Sequence, residues 1–121
     1  MGRAASVLVV EDNAETRHVL ARILTIRGYN VHSEENGADA LDWLRSGNRP
    51  AVIILDLYLP ILDGTAFLRE VDGDPSLSSI PVVAFTAHSG EPPPGLAAFV
   101  RKGSDDPDVL LDAIAACLGK A

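Results

Sequence analysis

Short runs of apolar residues alternate along the chain with longer segments in which apolar residues recur every three or four positions. The clearest runs cover residues 7–10 and 51–55, where nearly every position is Val, Ile or Leu. Such runs are typical of strands that are buried on both faces. Further runs near Val31, at residues 81–85 and near residues 97–100 bring the predicted number of strands to five.

The segments between these runs predict amphipathic helices after the first, second, third and fifth strands. Gly28 and Gly47 follow the first two segments, as glycines often do at helix ends. The third helix is short, near residues 66–71, and the last begins with Asp106 as its N-cap and Pro107 in its first turn. The buried stripes are expected to comprise Val19, Leu20, Ile23 and Leu24 in the first helix, Leu41 and Leu44 in the second, and Leu110, Leu111, Ile114 and Leu118 in the last.

The order of these elements determines the expected architecture. Strands that alternate with helices predict a parallel sheet covered on both sides, a doubly wound α/β fold. With 121 residues the chain has room for one such domain. In a sheet of this kind the ligand site lies outside the carboxyl ends of the strands. The candidate functional residues are therefore those that directly follow each strand.

Charged and hydroxyl side chains stand at four of the five predicted strand ends. Glu11 and Asp12 follow the first strand, Asp56 the third, Thr86 the fourth and Lys102 the fifth. Three carboxylates at one edge repel one another unless a positive charge lies among them. Magnesium is the expected partner, because it prefers oxygen ligands and needs only one or two carboxylates from the protein.

A divalent cation and an ammonium group that converge on a carboxylate are suited to phosphoryl transfer. An aspartate can attack phosphorus and form an acyl phosphate. The reaction depends mainly on position and on neutralising the phosphoryl oxygens. Lys102 and magnesium would bind two phosphoryl oxygens, and Thr86 or a backbone N–H would bind the third.

The same residues carry a resemblance to a known family. The chain resembles the receiver domain of response regulators in two-component phosphorelays, and the resemblance covers about residues 5–119. We therefore expect residues 1–121 to form a single receiver domain. The resemblance implies a flavodoxin-like sheet with strand order 2-1-3-4-5. The matching features are the acidic pair Glu11 and Asp12, the run D-L-Y-L-P-I-L-D-G from Asp56 to Gly64, the F-T-A run at residues 85–87, and Lys102.

The resemblance also implies how the site works. Asp56 would accept a phosphoryl group from a phosphohistidine on a histidine kinase or a histidine phosphotransfer protein. Asp12, Asp56 and the backbone carbonyl of Tyr58 would hold Mg²⁺, and Glu11 would reach the ion through water. The Tyr58 side chain is large and is expected near the site mouth, where it could slow access or hydrolysis.

A conformational switch is implied as well. Thr86 would move toward the phosphoryl oxygen, and Phe99, at the family's aromatic switch position, would turn into the space that Thr86 leaves. Two packings in equilibrium would then differ in their affinity for a downstream protein. Phe99 is equally well explained as a core residue.

The chain departs from the family pattern between the fourth and fifth strands. Only 12 residues separate Thr86 from Phe99, and they include Pro92, Pro93 and Pro94. Consecutive prolines remove backbone donors and clash with the preceding turn of a helix. We therefore predict that helix four, which the family uses for output and dimerisation, is absent or cut to about one turn. In addition, Gly103 follows Lys102 where the family normally has a proline, typically cis, and Glu11 stands where aspartate is commoner.

Composition limits the range of functions. Lys and Arg total 10 against 17 Asp and Glu, a formal charge of −7, which argues against a nucleic-acid binder that neutralises phosphates. Hydrophobic residues make up 47% of the chain, yet no apolar run approaches the roughly 20 residues of a membrane span. A single cysteine, Cys117, excludes an internal disulfide. A cytoplasmic domain is expected, with no signal peptide.

Other interpretations remain open from the sequence. Asp56 taken alone could end a strand, Thr86 could be an ordinary strand residue, and Lys102 an ordinary surface lysine. A pseudo-receiver that binds partners without phosphorylation would account for the altered helix-four region. A phosphohydrolase usually needs a second carboxylate two residues after its nucleophile, where this chain has Tyr58. We therefore expect a signalling module rather than an enzyme.

Overall fold

The computed structural model describes residues 5–59, 61–87, 90–103 and 107–118. Five parallel strands form one sheet in the order β2-β1-β3-β4-β5, which confirms the predicted fold class and strand order. No helix in the described part of the chain is long and apolar enough to cross a membrane. In chain order the elements are β1 (Ser6–Val10), α1 (Ala14–Ile26), β2 (Asn30–Glu34), α2 (Gly37–Arg45), β3 (Val52–Leu55), α3 (Gly64–Asp72), β4 (Val82–Thr86), β5 (Ala98–Arg101) and α4 (Pro107–Cys117).

The sheet separates two apolar layers. Leu8 and Ile53 belong to the layer that contains the buried residues of α2 and α3, whereas Val9 and Ile54 belong to the layer that contains those of α1 and α4. Side chains alternate between the two faces of a strand, so a strand covered on both faces must be apolar at consecutive positions. This arrangement explains the unbroken apolar runs in β1 and β3.

The predicted stripe of α1 is only partly right. Leu20 and Leu24 are buried, but Val19 is 52% exposed, so its expected burial was wrong. Successive helix positions differ by about 100°, which turns Val19 away from the sheet and toward the groove between α1 and α4. In α4, Leu110 is buried as predicted. Asp106, the predicted cap of α4, lies outside the described residues.

Asparagine and aspartate side chains cap the first three helices. Asn13 accepts a hydrogen bond from the Thr16 N–H at 2.8 Å, and Asp63 accepts one from the Ala66 N–H at 2.9 Å. A side-chain oxygen at this position satisfies a backbone donor that has no partner within the helix. Because Asn13 begins α1, the two residues before it remain in the loop at the carboxyl end of β1. Asn36 caps α2 in the same way.

The connection from β4 to β5 contains no helix in its described part, Ala87 and residues 90–97, as the three prolines predicted. Leu96 packs against the layer of α2 and α3. The Ala97 N–H donates to the Val82 carbonyl at 2.8 Å, which fixes the start of β5 beside β4. An irregular segment with a turn at Pro94 and Gly95 therefore stands in the described part of this connection.

We expect Gly64→Ala to lower the free energy of unfolding by about 3 kcal/mol, because overpacking a close backbone contact strains the fold. A methyl group at Gly64 would lie 2.4 Å from the Leu57 Cα and 2.7 Å from the Asp56 carbonyl oxygen. Urea denaturation measures the change. The control is Gly73→Ala, whose added methyl would lie 3.2 Å from the Arg69 carbonyl oxygen. A Gly64 variant as stable as the parent would contradict the close-contact argument.

Candidate functional site

Asp56 lies directly after β3, at the carboxyl edge of the sheet. Its N–H donates to the Val10 carbonyl at 3.1 Å, and its side chain is almost entirely buried. One carboxylate oxygen, Oδ1, accepts hydrogen bonds from the Tyr58 N–H at 3.0 Å and from the Thr86 hydroxyl at 2.9 Å. The other, Oδ2, accepts one from the Lys102 ammonium at 3.0 Å. Both oxygens are therefore held in fixed positions.

Thr86 is the last residue of β4 and is completely buried. Its hydroxyl donates to Asp56 and accepts a longer hydrogen bond, 3.4 Å, from the Leu57 N–H. The sequence interpretation expects Thr86 to approach the site on phosphorylation. In this structure the hydroxyl already contacts the carboxylate.

Lys102 is positioned by the sheet and held by two carboxylates. Its N–H donates to the Thr86 carbonyl at 2.9 Å, and its ammonium lies 2.7 Å from Glu11 Oε1 as well as close to Asp56. Burial opposes the charge, but the hydrogen bonds to Glu11 and Asp56 outweigh it and raise the pKa of the ammonium. Lys102 thus provides a permanent positive charge beside the carboxylate of Asp56.

Glu11 is buried and has a hydrogen bond at each carboxylate oxygen. Oε1 accepts from Lys102, and Oε2 accepts from the Asn13 N–H at 3.1 Å. Burial raises the pKa of the Glu11 carboxyl, and the hydrogen bond from Lys102 opposes that rise. The neighbouring Asp12 is exposed to solvent. The acidic pair therefore divides into one residue bound within the site and one at its mouth.

Glu11, Asp12 and Asp56 each offer a carboxylate oxygen, and the three oxygens lie within 4.8 Å of one another. A set of donors made only of oxygen atoms suits a hard divalent cation such as magnesium. The residues present therefore fit the predicted ion. A role for the Tyr58 carbonyl as a further ligand stays a prediction.

Three other residues named from the sequence lie around this cluster. The Tyr58 side chain is 55% exposed, although its N–H contacts Asp56. Phe99 is half-buried against the layer of α2 and α3, and the Arg101 guanidinium lies 5.0 Å from its ring centre. The role of Phe99 as a conformational switch stays a prediction. Gly103 has a φ of +80°, which a proline ring, fixed near −65°, cannot adopt.

Arg17 contacts the site but was not predicted from the sequence. Its Nη1 donates to the Glu11 carbonyl at 2.9 Å and to the Asp12 carbonyl at 3.3 Å. These two hydrogen bonds fix the backbone of the acidic pair. The sequence did contain a signal for this contact, because Arg17 lies one turn into the helix that follows the acidic pair.

Comparisons with known proteins identify a family for this chain. A family model described as the response regulator receiver domain matches residues 7–114. Response regulator MprA from Mycobacterium sp. (strain KMS) is 37% identical over 83 residues, which cover 67% of this chain and 34% of that protein. The match thus spans about a third of the length of these curated relatives.

Solved structures are similar over nearly the whole chain. The signal receiver domain of a signal transduction histidine kinase from Syntrophus aciditrophicus has a TM-score of 0.85 at 32% identity, covering 96% of this chain and 91% of that one. The receiver domain of the sensor histidine kinase PA1611 from Pseudomonas aeruginosa has a TM-score of 0.86 at 24% identity, covering 97% and 99%. That second structure carries a magnesium ion coordinated in its active site cleft. At this identity the likeness concerns the fold alone.

Proposed function

The chain belongs to the response regulator receiver domain family, and from that premise we propose that Asp56 accepts a phosphoryl group from a phosphohistidine on a partner protein. One observation carries the proposal. A single carboxylate, Asp56, is bound at the same time by a buried hydroxyl and an ammonium group, and shares a cluster of oxygen atoms with Glu11 and Asp12.

The phosphoryl transfer is a single nucleophilic displacement at phosphorus. A carboxylate oxygen of Asp56 forms a new O–P bond while the N–P bond of the phosphohistidine breaks. The bonding electrons of the N–P bond remain on the imidazole nitrogen, which takes up a proton when it is released. The product is an acyl phosphate on Asp56 and a neutral histidine on the donor.

Lys102 and Thr86 have roles that follow from their present contacts. The Lys102 ammonium can turn from Asp56 Oδ2 to a phosphoryl oxygen while it keeps its hydrogen bond to Glu11. The Thr86 hydroxyl can transfer its hydrogen bond from Asp56 Oδ1 to a second phosphoryl oxygen with little movement. Donors fixed before the reaction stabilise the developing charge without reorganisation at the moment of transfer.

Asp12, Asp56 and the Tyr58 backbone carbonyl would hold magnesium, with Glu11 interacting through water. Bound there, the ion would neutralise charge on the phosphoryl group. The three clustered carboxylates, which offer only oxygen atoms, support this assignment. Asp12 is suited to bind the ion, because its exposed carboxylate lies at the solvent side of the cluster.

The output of the site is proposed to be a change in protein–protein contact. Thr86 and Phe99 stand at the two ends of the β4–β5 connection, so a change at Asp56 would reach that segment through Thr86. The donor would be a histidine kinase or a histidine phosphotransfer protein, and a downstream protein would read the result. We expect the exchange to occur in the cytoplasm. No separate substrate is turned over.

A pseudo-receiver without phosphorylation is less well supported. That interpretation rests on the altered β4–β5 connection and on Gly103, and neither removes a group from the cluster. Asp56, Thr86 and Lys102 remain in direct hydrogen-bond contact.

We expect incubation with magnesium and acetyl phosphate to add one phosphoryl group to the chain, as measured by intact mass. Acetyl phosphate tests the site alone, because it needs no protein partner. Chelation of magnesium with EDTA should remove the mass increase, since the ion would help to neutralise the transferred group. A chain that stays unmodified after long exposure would favour the pseudo-receiver.

A further inference from the structure

Arg17 binds two consecutive carbonyl groups in the loop that carries the acidic pair. A single guanidinium nitrogen, Nη1, donates to the Glu11 carbonyl at 2.9 Å and to the Asp12 carbonyl at 3.3 Å. Consecutive carbonyl groups of an extended, pleated strand point in roughly opposite directions, so their convergence on one atom requires a bend in the chain. That bend lies at Asp12. Arg17 therefore stabilises the conformation in which the chain leaves β1.

The Glu11 carbonyl depends on this contact. Glu11 is 1% exposed, so water has little access to its backbone. Within the described ranges, Arg17 is the one donor that the structure shows for this carbonyl. A buried carbonyl that loses its hydrogen-bond partner costs free energy, which the loop can recover only by moving to expose the group to water. Removal of the Arg17 guanidinium would therefore displace the loop.

Asp12 would be the first carboxylate to follow such a displacement. The Glu11 side chain is held independently by Lys102 and by the Asn13 N–H. The Asp12 side chain is exposed, and the one hydrogen bond that the described structure gives this residue is the bond from Arg17 to its carbonyl. Its carboxylate nevertheless belongs to the oxygen cluster, whose atoms lie within 4.8 Å of one another. The place of Asp12 in the cluster is thus set by its backbone.

The charge of Arg17 acts in the opposite direction. A guanidinium beside the cluster repels a divalent cation, so removal of the charge alone would strengthen cation binding. Loss of the two hydrogen bonds would weaken cation binding, because Asp12 would no longer be fixed as a ligand. The positioning role and the purely electrostatic role of Arg17 therefore predict changes of opposite sign.

We propose that Arg17 is a positioning residue for the divalent cation, and that it acts by keeping the Asp12 carboxylate in the cluster with Glu11 and Asp56. The inference rests on the proposed function of this cluster as a magnesium site. Ligands that are fixed before the ion arrives lose less conformational freedom on binding, and affinity rises accordingly. Arg17 influences the ion through Asp12 and does not itself contact the ion.

The test compares binding of Mn²⁺ to Arg17→Met and to the parent chain. Mn²⁺ takes the same class of oxygen ligands as magnesium, and its free ion is measured by electron paramagnetic resonance. Methionine keeps an unbranched side chain but has no charge and no N–H donor. We expect the dissociation constant to rise about tenfold, as is usual when a group that orients a metal ligand is removed. Mg²⁺ added in competition should show the same rise.

Phosphorylation by acetyl phosphate provides a second measurement on the same variant. Asp56, Thr86 and Lys102 are unchanged, so the maximal rate at saturating magnesium should fall by less than about twofold. The magnesium concentration that gives half of this rate should rise about tenfold. A general distortion of the site would instead lower the maximal rate.

Two further variants make the result specific. Arg17→Lys keeps the charge, and because one nitrogen donates both hydrogen bonds in the parent, an ammonium group can replace it. This variant should bind Mn²⁺ within about threefold of the parent. Arg22→Met removes the same charge from an exposed position on α1 and should not weaken binding.

Four results would overturn the positioning role. They are an Arg17→Met chain that binds Mn²⁺ at least as tightly as the parent, an equal loss of affinity in Arg22→Met, an equal loss in Arg17→Lys, and a maximal rate that stays low at saturating magnesium. If the parent binds neither ion, the magnesium assignment fails and this inference fails with it. If the parent binds both ions but accepts no phosphoryl group, the proposed function of Asp56 fails while the role of Arg17 in cation binding is still supported.

Discussion

Asp56→Asn is expected to abolish incorporation of a phosphoryl group from both acetyl phosphate and a phosphohistidine protein. The amide has no carboxylate oxygen with which to form the acyl phosphate. Its carbonyl oxygen can still accept hydrogen bonds from the Tyr58 N–H and the Thr86 hydroxyl, so the loop should keep its shape. The amide NH₂, however, would face the Lys102 ammonium, where the parent has a hydrogen-bond acceptor. Intact mass and phosphate labelling measure the loss.

The matched control for this prediction is Asp63→Asn. Asp63 is exposed and caps α3, and asparagine caps a helix about as well as aspartate. The control removes the same charge from the same loop region without touching Asp56. It should be phosphorylated like the parent. One phosphoryl group per chain on the Asp56 variant would mean that another residue is the acceptor.

Lys102→Ala is expected to slow phosphorylation by about 100-fold to 1,000-fold, the usual cost of losing a preorganised charge donor. It should also lower the free energy of unfolding by about 2 kcal/mol. Breaking a buried ion pair costs about 3–5 kcal/mol, and the smaller figure allows for the 24% exposure of the Lys102 side chain. The variant leaves Glu11 buried without its cation. Rate measurements with acetyl phosphate and urea denaturation test the two effects separately.

The pH dependence of Lys102→Ala provides a second test of the same contact. Burial already raises the pKa of Glu11, and loss of the ammonium removes a hydrogen bond that lowers it. A carboxyl group with a raised pKa in the folded state stabilises the fold below its unfolded pKa, and that stabilisation is lost as the pH rises through the folded pKa. The difference in free energy of unfolding between Lys102→Ala and the parent should therefore become smaller as the pH is lowered. Arg22→Ala, which removes an exposed cation from α1, should show no such recovery.

The sheet and the main site residues were predictable because their signals are local. Each strand is a short apolar run, and the rule that ligands bind at the carboxyl ends of parallel strands selects the next residue. The rule selected Asp56 directly. It placed Thr86 just after the fourth strand, whereas Thr86 is the last residue of β4, and Lys102 directly follows β5, which ends one residue later than predicted. The structure brings all three side chains into contact. The signal against a helix in the described part of the β4–β5 connection was equally local, because a run of prolines excludes a helix whatever surrounds it.

The features that were missed depend on contacts between distant parts of the chain. Periodicity assigned Val19 to the core, but Val19 lines a groove between α1 and α4, and the sequence does not show how far α4 covers that side of α1. The hydrogen bond of Lys102 to Glu11 joins residues 91 positions apart. No residue pattern records such constraints.

The irregular, non-helical course of residues 90–97 affects which proteins can bind this surface. A helix presents side chains in rows that fit a complementary groove, whereas an irregular segment that contains prolines does not. An effector that binds the helix-four surface of other family members would not be complementary in shape to the part of this connection that the structure describes. If Asp56 accepts a phosphoryl group as proposed, the chain would share its donor chemistry with other family members and present a different surface to their effectors.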